Sequence, residues 1–332
     1  MKLTFLWQSS TFFEREWIPD IFASVAGEQV YDGEHRIVLD NCLLIDFFIR
    51  DHSRDYYAQF RGKNAWFLHL SDETYDGGYD VYRNFRGVFR NYWSSIFNPR
   101  RVMQLPLGYT NGFTHEAIEP DIDRRMYIWS FLGHAGKSSR PEMIEALHPF
   151  KPNFVYTAEQ SRLRPIGRSE YQRILRDSIF IPCSMGNLNL DSFRVYEALE
   201  CGAIPVLEKR PSLDYFRRLL GAHPVPTFSN WRQAARFIAF MLADRNALAN
   251  LQKQCIDWWT GYKQSLREQV ENFFETPHGE EAGSYISWRH SLPGWQSFEL
   301  LRHHSIPASV RRVKLHLKRL SKEGKLRKST GA

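Results

Sequence analysis

Between residues 127 and 262 the chain alternates short apolar runs with longer amphipathic ones, and that alternation leaves few folds open. Strands are expected at 127–132, 153–157, 178–183, 204–207 and 225–228. Helices are expected at 141–147 with Ser139 as N-cap, then at 169–176, 192–199, 212–220, 230–242 and 245–262. A strand–helix–strand rhythm builds a parallel sheet buried under helices, because parallel neighbours need a crossover and the helix supplies it. Such sheets bind ligands outside the carboxyl ends of their strands. The loops after Leu132, Thr157, Cys183 and Leu207 should therefore line one crevice.

The first half is less regular. Strands are expected at 2–7, 66–70, 81–85 and 101–105, the last closed by the turn Pro106-Leu107-Gly108. Residues 114–125 are polar and aperiodic and read as a linker. With 332 residues there is room for two domains. The expected division is a Rossmann-like lobe at 1–118, a second lobe at 119–262, a segment at 263–306 packing back on the first lobe, and a basic tail at 307–332.

Apolar residues at 43% and charged residues at 24% exclude wholesale disorder. The net charge of +7 comes from the end of the chain. Residues 311–328 hold nine Lys/Arg and one acid, leaving 35 basic and 36 acidic residues elsewhere. The body is thus close to neutral, and nucleic acid is not an expected partner. Within the tail Val310, Val313, Leu317 and Leu320 recur at helical spacing between cations, the pattern of a basic amphipathic helix, which either adsorbs to an anionic membrane surface or is a solvated or disordered tail. Cys42, Cys183, Cys201 and Cys255 form no CxxC pair, which argues against zinc and for free thiols in a reducing compartment. No signal-like or span-length apolar run occurs. The expectation is a cytoplasmic protein, peripheral on the inner membrane face through 308–332.

The most specific segment is DSFRVYEALECGAIPVL at 191–207. A strand enters the Gly/Asn loop MGNLNL, a helix opens at Asp191-Ser192, and a buried strand follows Gly202. The free N–H groups and positive dipole end of that helix suit an anion. Arg194 and Glu197 lie three residues apart on one face, as a cation for phosphate and a carboxylate for ribose hydroxyls would. A simple intrahelical pair is the plainer use of the same residues.

This segment, following the F-x-P-C-S-x-G strand at 180–186, resembles the nucleotide-sugar half of exostosin-type glycosyltransferases. WFLHLSDE at 66–73, RVMQLPLGY at 101–109 and SFLGHAGKSSR at 130–140 resemble more closely the ribitol xylosyltransferase branch, which builds the matriglycan linker on dystroglycan. The resemblance implies a GT-B-like α/β fold, two Rossmann-like lobes facing a central cleft with the donor in the second. It also implies inversion at the sugar carbon without a bound metal or other cofactor. The implied partners are a UDP-sugar donor, UDP-xylose or UDP-glucuronate among them, and a glycan or polyol-phosphate acceptor in cell-surface polysaccharide synthesis.

The residues permit an independent check. Retaining GT-B enzymes of the E-x7-E type carry an acid eight residues before the E-A-L glutamate, where this chain has Asn189. The single D-x-D, Asp121-Ile122-Asp123, sits in the linker rather than after a strand. Without a metal, protein cations and N–H groups must neutralise the departing diphosphate. Candidate donor-binding residues are Gly133, Lys137 and Arg140 of the loop after the first strand of the lobe, Ser184 and Gly186 of the Gly/Asn loop, and Asp191, Ser192, Arg194 and Glu197 of the helix. Gly133 and Gly136 stand too close for a P-loop. Inverting displacement needs a base on the acceptor side. His69, Asp72 and Glu73, at the end of WFLHL, are the candidates, with Asp72 and Glu73 preferred. A non-catalytic nucleotide-sugar or glycan binding module of the same fold is the alternative.

Overall fold

A computed structural model describes residues 2–47, 54–75, 78–113, 121–157, 165–186, 188–276, 283–287 and 294–303. The tail at 308–332 and most of the linker expected at 114–125 lie outside these residues. The first lobe is a six-stranded sheet of β1 (Leu3–Trp7), β2 (Ala26–Tyr31), β3 (Cys42–Asp46), β4 (Ala65–His69), β5 (Val88–Arg90) and β6 (Val102–Gln104) in the order β2-β1-β3-β4-β5-β6. All its neighbours are parallel. β3 and β4 are buried at every position, which is why CLLID and AWFLH read as continuous apolar runs rather than as alternations. Helices α1 (Trp17–Ile21) and α2 (Arg54–Ala58) connect this sheet.

The second lobe holds β7 (Tyr127–Gly133), β8 (Asn153–Thr157), β9 (Ser178–Cys183), β10 (Ile204–Glu208) and β11 (Thr227–Phe228), parallel throughout, in the order β11-β10-β9-β7-β8. Its helices are α3 (Arg140–Leu147), α4 (Arg168–Arg176), α5 (Phe193–Glu200), α6 (Tyr215–Leu220), α7 (Trp231–Ala243) and α8 (Arg245–Glu275). These five strands coincide with the anticipated ones to within two residues. Two parallel-sheet α/β lobes meeting at the carboxyl ends of their strands form the GT-B arrangement that the resemblance implies.

The lobes are tied by α8, whose 31 residues span about 46 Å at 1.5 Å per residue. Its start packs on the second lobe, where Gln252 donates to the Gly202 carbonyl. Midway, the Trp259 ring stacks on Trp17 of α1 with centroids 5.9 Å apart. Farther on Arg267 pairs with Asp20 at 2.6 Å, and Phe273 and Phe274 close on Trp66 and Phe89. The anticipated end at Tyr262 falls thirteen residues short of Glu275. Beyond it only Leu266, Val270 and Phe273 are buried, a stripe too narrow to stand out in sequence. Gly108, with φ +73, leaves room for Trp17; a Cβ there would lie 2.3 Å from the indole. A last helix, α9 (Trp295–His303), lies against both lobes, with Trp295 near Tyr75 and Tyr79 and the His303 carbonyl accepting from Arg210.

The strand anticipated at 81–85 is instead part of a 3-10 helix, Tyr79–Asn84, entered from Gly78 at φ +74. Tyr79 and Tyr82 are three residues apart, so the three-residue turn aims both at the same polar cluster, the hydroxyls reaching Asp72 and His69. The helix anticipated at 212–220 begins only at Tyr215, capped by Asp214, because Arg210 and Leu213 first form a bridge. Among the described residues no helix is long and apolar enough to cross a membrane.

Candidate functional site

Apart from α8, a set of contacts that closes the seam between the lobes comes from loops that leave first-lobe strands at their carboxyl ends. After β4, Glu73 Oε1 accepts the N–H groups of Leu188 and Asn189 at 2.6 and 2.9 Å. After β5, the Trp93 N–H donates to the Tyr215 hydroxyl at 2.9 Å. After β6, the Leu107 N–H donates to Asp191 at 3.4 Å and the Thr110 hydroxyl to Glu197 at 2.6 Å. After β1, the Phe13 ring meets Phe193, the first residue of α5, with centroids 6.1 Å apart. The crevice predicted from strand polarity is therefore the junction of the lobes.

At its centre two guanidinium groups converge. Arg194 donates to the Leu132 carbonyl at 2.6 Å and lies over Phe131, 4.8 Å from the ring centroid. Arg140 approaches the same ring at 5.8 Å and donates to the carbonyls of His134 and Met185. Gly133, at φ +149, sits between them: a Cβ there would stand 3.1 Å from Arg194 Nη2 and 4.0 Å from Arg140 Nη1. Among the described residues neither arginine has a carboxylate within ion-pair distance, and the buried Nε of Arg140 has no partner. Burial, reinforced by Arg194, pushes Arg140 down to about 10, so it remains a cation at neutral pH. Two like charges this close, Arg140 buried and Arg194 half-buried, with no carboxylate bonded to either, favour an anion between them.

The start of α5 adds to this anion-seeking character. Ser192 occupies the N-cap position with extended backbone, but its side chain caps nothing and its buried Oγ has no partner. The Oγ atoms of Ser184 and Ser138 are likewise buried and unpartnered. Gly186 closes the Gly/Asn loop by donating to the Asn189 carbonyl at 2.9 Å, and its α-carbon faces Glu73. Lys137 is exposed on the 133–140 loop. A cleft of about 250 Å³ runs from this point between Leu132, Gly133, His134, Tyr156, Thr157 and Tyr171.

Several anticipated residues have other work. His69 is fully buried, its Nδ1 2.7 Å from the Tyr82 hydroxyl, and burial followed by Arg90 pushes it down to about 3. It is a neutral core imidazole and not a base facing the cleft. Asp72 is buried too, accepting from the Tyr79 hydroxyl at 2.6 Å and pairing at 3.2 Å with the fully buried Arg90, whose charge it balances. Asp191 turns inward to Tyr196, and burial pushes it up to about 7. Glu197 is buried with both oxygens occupied, by Thr110 and by the Tyr171 hydroxyl at 2.7 Å, so a ligand hydroxyl reaches it only by displacing one of them. Ser139 stands where an N-cap was expected, but its hydroxyl donates to Glu208 at 2.6 Å and not to its own helix. Of the anticipated groups, the structure brings Gly133, Arg140, Ser184, Gly186, Ser192, Arg194 and Glu73 together. The D-x-D acids form a turn, Asp121 accepting backbone N–H groups and Asp123 pairing with Arg245.

Other residues of the seam were missed in sequence. Glu208 joins Ser139, the Met185 N–H and Arg210, bracing the loops on either side of Arg140. Glu14 lies in the loop after β1. Glu208 ends β10 and Glu14 lies seven residues past the end of β1, so strand polarity would have flagged the first and pointed less sharply to the second.

Residues 112–277, half of the chain, match the family described as the RXYLT1 C-terminal domain. Ribitol-5-phosphate xylosyltransferase 1 of Mus musculus is 23% identical over 250 residues, which cover 67% of this chain and 51% of that protein. The chain thus spans about half the length of that curated relative. Among solved structures, Anabaena Alr3699/HepE in complex with UDP aligns at a TM-score of 0.49 with 12% identity, over 83% of this chain and 100% of that one. An alpha1,3-fucosyltransferase aligns at 0.48 with 11% identity, over 80% and 90%. On its sequence match, the chain belongs to the RXYLT1 C-terminal domain family.

Proposed function

We propose that this protein is an inverting glycosyltransferase that moves a sugar from a nucleotide diphosphate, UDP by preference, to a hydroxyl of a glycan or polyol-phosphate acceptor. The observation that carries the reading is the uncompensated pair Arg140 and Arg194 beside Gly133. Two fixed guanidinium groups and an uncapped helix N-terminus are what a diphosphate leaving group requires when protein cations alone stabilise it. The nucleoside would extend into the cleft between β7, β8 and α4, past Tyr156 and Tyr171. The acceptor would enter from the first lobe, at the carboxyl ends of β1, β4 and β5. The named relative makes UDP-xylose and ribitol 5-phosphate the first pair to try.

The test is a thermal-shift panel of nucleotide sugars followed by acceptor-dependent UDP release. A donor at about 100 times its dissociation constant stabilises the fold by about 2.7 kcal/mol. Donor binding with no turnover on any acceptor would favour a binding module instead.

A further inference from the structure

Glu14 is a carboxyl that the reading above leaves unused. It is 1% exposed, and its Oε1 has no hydrogen-bond partner. A bare buried acceptor is costly and calls for an explanation in function. The loop that carries it belongs to the seam: the neighbouring Phe13 packs on Phe193 at the start of α5, and the Phe13 carbonyl accepts from Asn111 at 2.8 Å. Tyr92, after β5, is buried too, and burial followed by the charges of Glu73, Asp191 and Glu14 holds its hydroxyl well above the usual range. Oε1 of Glu73 is held by two N–H groups, and both oxygens of Asp191 are held by Tyr196 and Leu107. Of the three, Glu14 is the one with a buried oxygen left bare.

Resting on the glycosyltransferase reading, we propose that Glu14 is the general base of the transfer. Its carboxylate takes the proton of the acceptor hydroxyl while that oxygen bonds to C1 of the sugar. The bond from C1 to the β-phosphate oxygen breaks, and its electron pair leaves on the nucleoside diphosphate. Glu14 then passes the proton to water as the seam opens and product departs. The acceptor hydroxyl supplies the donor that Oε1 lacks. Burial pushes the carboxyl up to about 7, which suits a group that must both take and release a proton near neutrality.

The experiment compares the unaltered chain with Glu14→Gln and Glu14→Ala, using UDP-xylose and ribitol 5-phosphate. Glu14→Gln should keep its melting temperature and its affinity for UDP-xylose while transfer falls by about 10²–10⁴-fold. Glu14→Ala should regain transfer on addition of sodium formate, a small carboxylate that fits the vacated space, whereas Glu73→Ala should not. Transfer by a folded Glu14→Gln that falls by less than about a hundredfold overturns the assignment alone. So does failure of formate to restore Glu14→Ala. Absence of transfer by the unaltered chain, across nucleotide sugars and polyol-phosphate acceptors, overturns the functional reading and the base with it.

Discussion

Glu73 accepts the backbone N–H of Asn189 at 2.9 Å across the junction of the two lobes. Asn189 is fully buried, and its amide donates to the Tyr75 hydroxyl at 3.0 Å. This is the position at which E-x7-E transferases carry an acid. A carboxylate here would be fully buried beside the Tyr75 hydroxyl, a costly place for a charge, whereas the amide is neutral and leaves its backbone N–H to Glu73, the first lobe's latch. Replacing Glu73 by Ala leaves two N–H groups without their acceptor and should cost about 1–3 kcal/mol. Glu73→Gln keeps an amide oxygen in place and should recover most of it. Equal losses in melting temperature for the two variants would refute the latch.

The converging arginines should behave unlike ordinary salt-bridged residues. Arg194→Ala is expected to weaken UDP binding about tenfold to a hundredfold, the worth of charge-assisted hydrogen bonds to phosphate. Arg140→Met should weaken UDP equally yet leave the ligand-free protein about as stable as before, because it removes a buried charge that has no carboxylate in direct contact. Calorimetric titration and melting curves on the same samples separate the two effects. Gly133→Ala should follow Arg194→Ala, since its methyl group crowds Nη2.

Asp72 should show the opposite pattern. Removing its charge strands the fully buried Arg90, and breaking a buried pair costs about 3–5 kcal/mol. Asp72→Asn is thus expected to fail by unfolding, with a large fall in melting temperature, rather than as a folded protein with a reduced rate.

Stability should fall as pH rises toward neutrality. Burial pushes both Glu14 and Asp191 up to about 7, from ordinary values of 4.5 and 3.8. Between those limits the folded state holds protons that the unfolded chain has released, so their contribution is complete below the lower values and is lost as pH passes 7. Asp191 accepts from Tyr196, whose neutral hydroxyl form does not change over this range. Denaturant titrations from pH 4 to 8 should show this slope, flattened in Glu14→Gln/Asp191→Asn. A slope unchanged in the double variant would contradict it.

The basic end of the chain carries a separate expectation. Binding to vesicles containing anionic lipid should require residues 308–332 and weaken with salt, each cation near the surface contributing about 1 kcal/mol. Co-sedimentation unaffected by deleting 308–332 would refute membrane adsorption through this segment.

The second lobe was legible because a buried parallel sheet writes itself locally: β9 and β10 need apolar runs of a set length, and α5 needs its start signal and Gly202. The sequence by itself also determined that Arg140 and Arg194 stand at loop–helix junctions on the ligand side of that sheet. Tertiary structure alone decided which charged groups are bare. Glu197 is quenched by Thr110, 87 residues away, and Glu73 by a loop 116 residues away. His69 and Asp72, adjacent to Glu73 in sequence, are drawn instead into a core around Tyr82, Tyr79 and Arg90. Apolar periodicity is a property of neighbours along the chain, whereas satisfaction of a carboxylate depends on which distant donor the packing delivers to it. That is why the polarity of each strand was readable in advance and the availability of the acid that follows it was not.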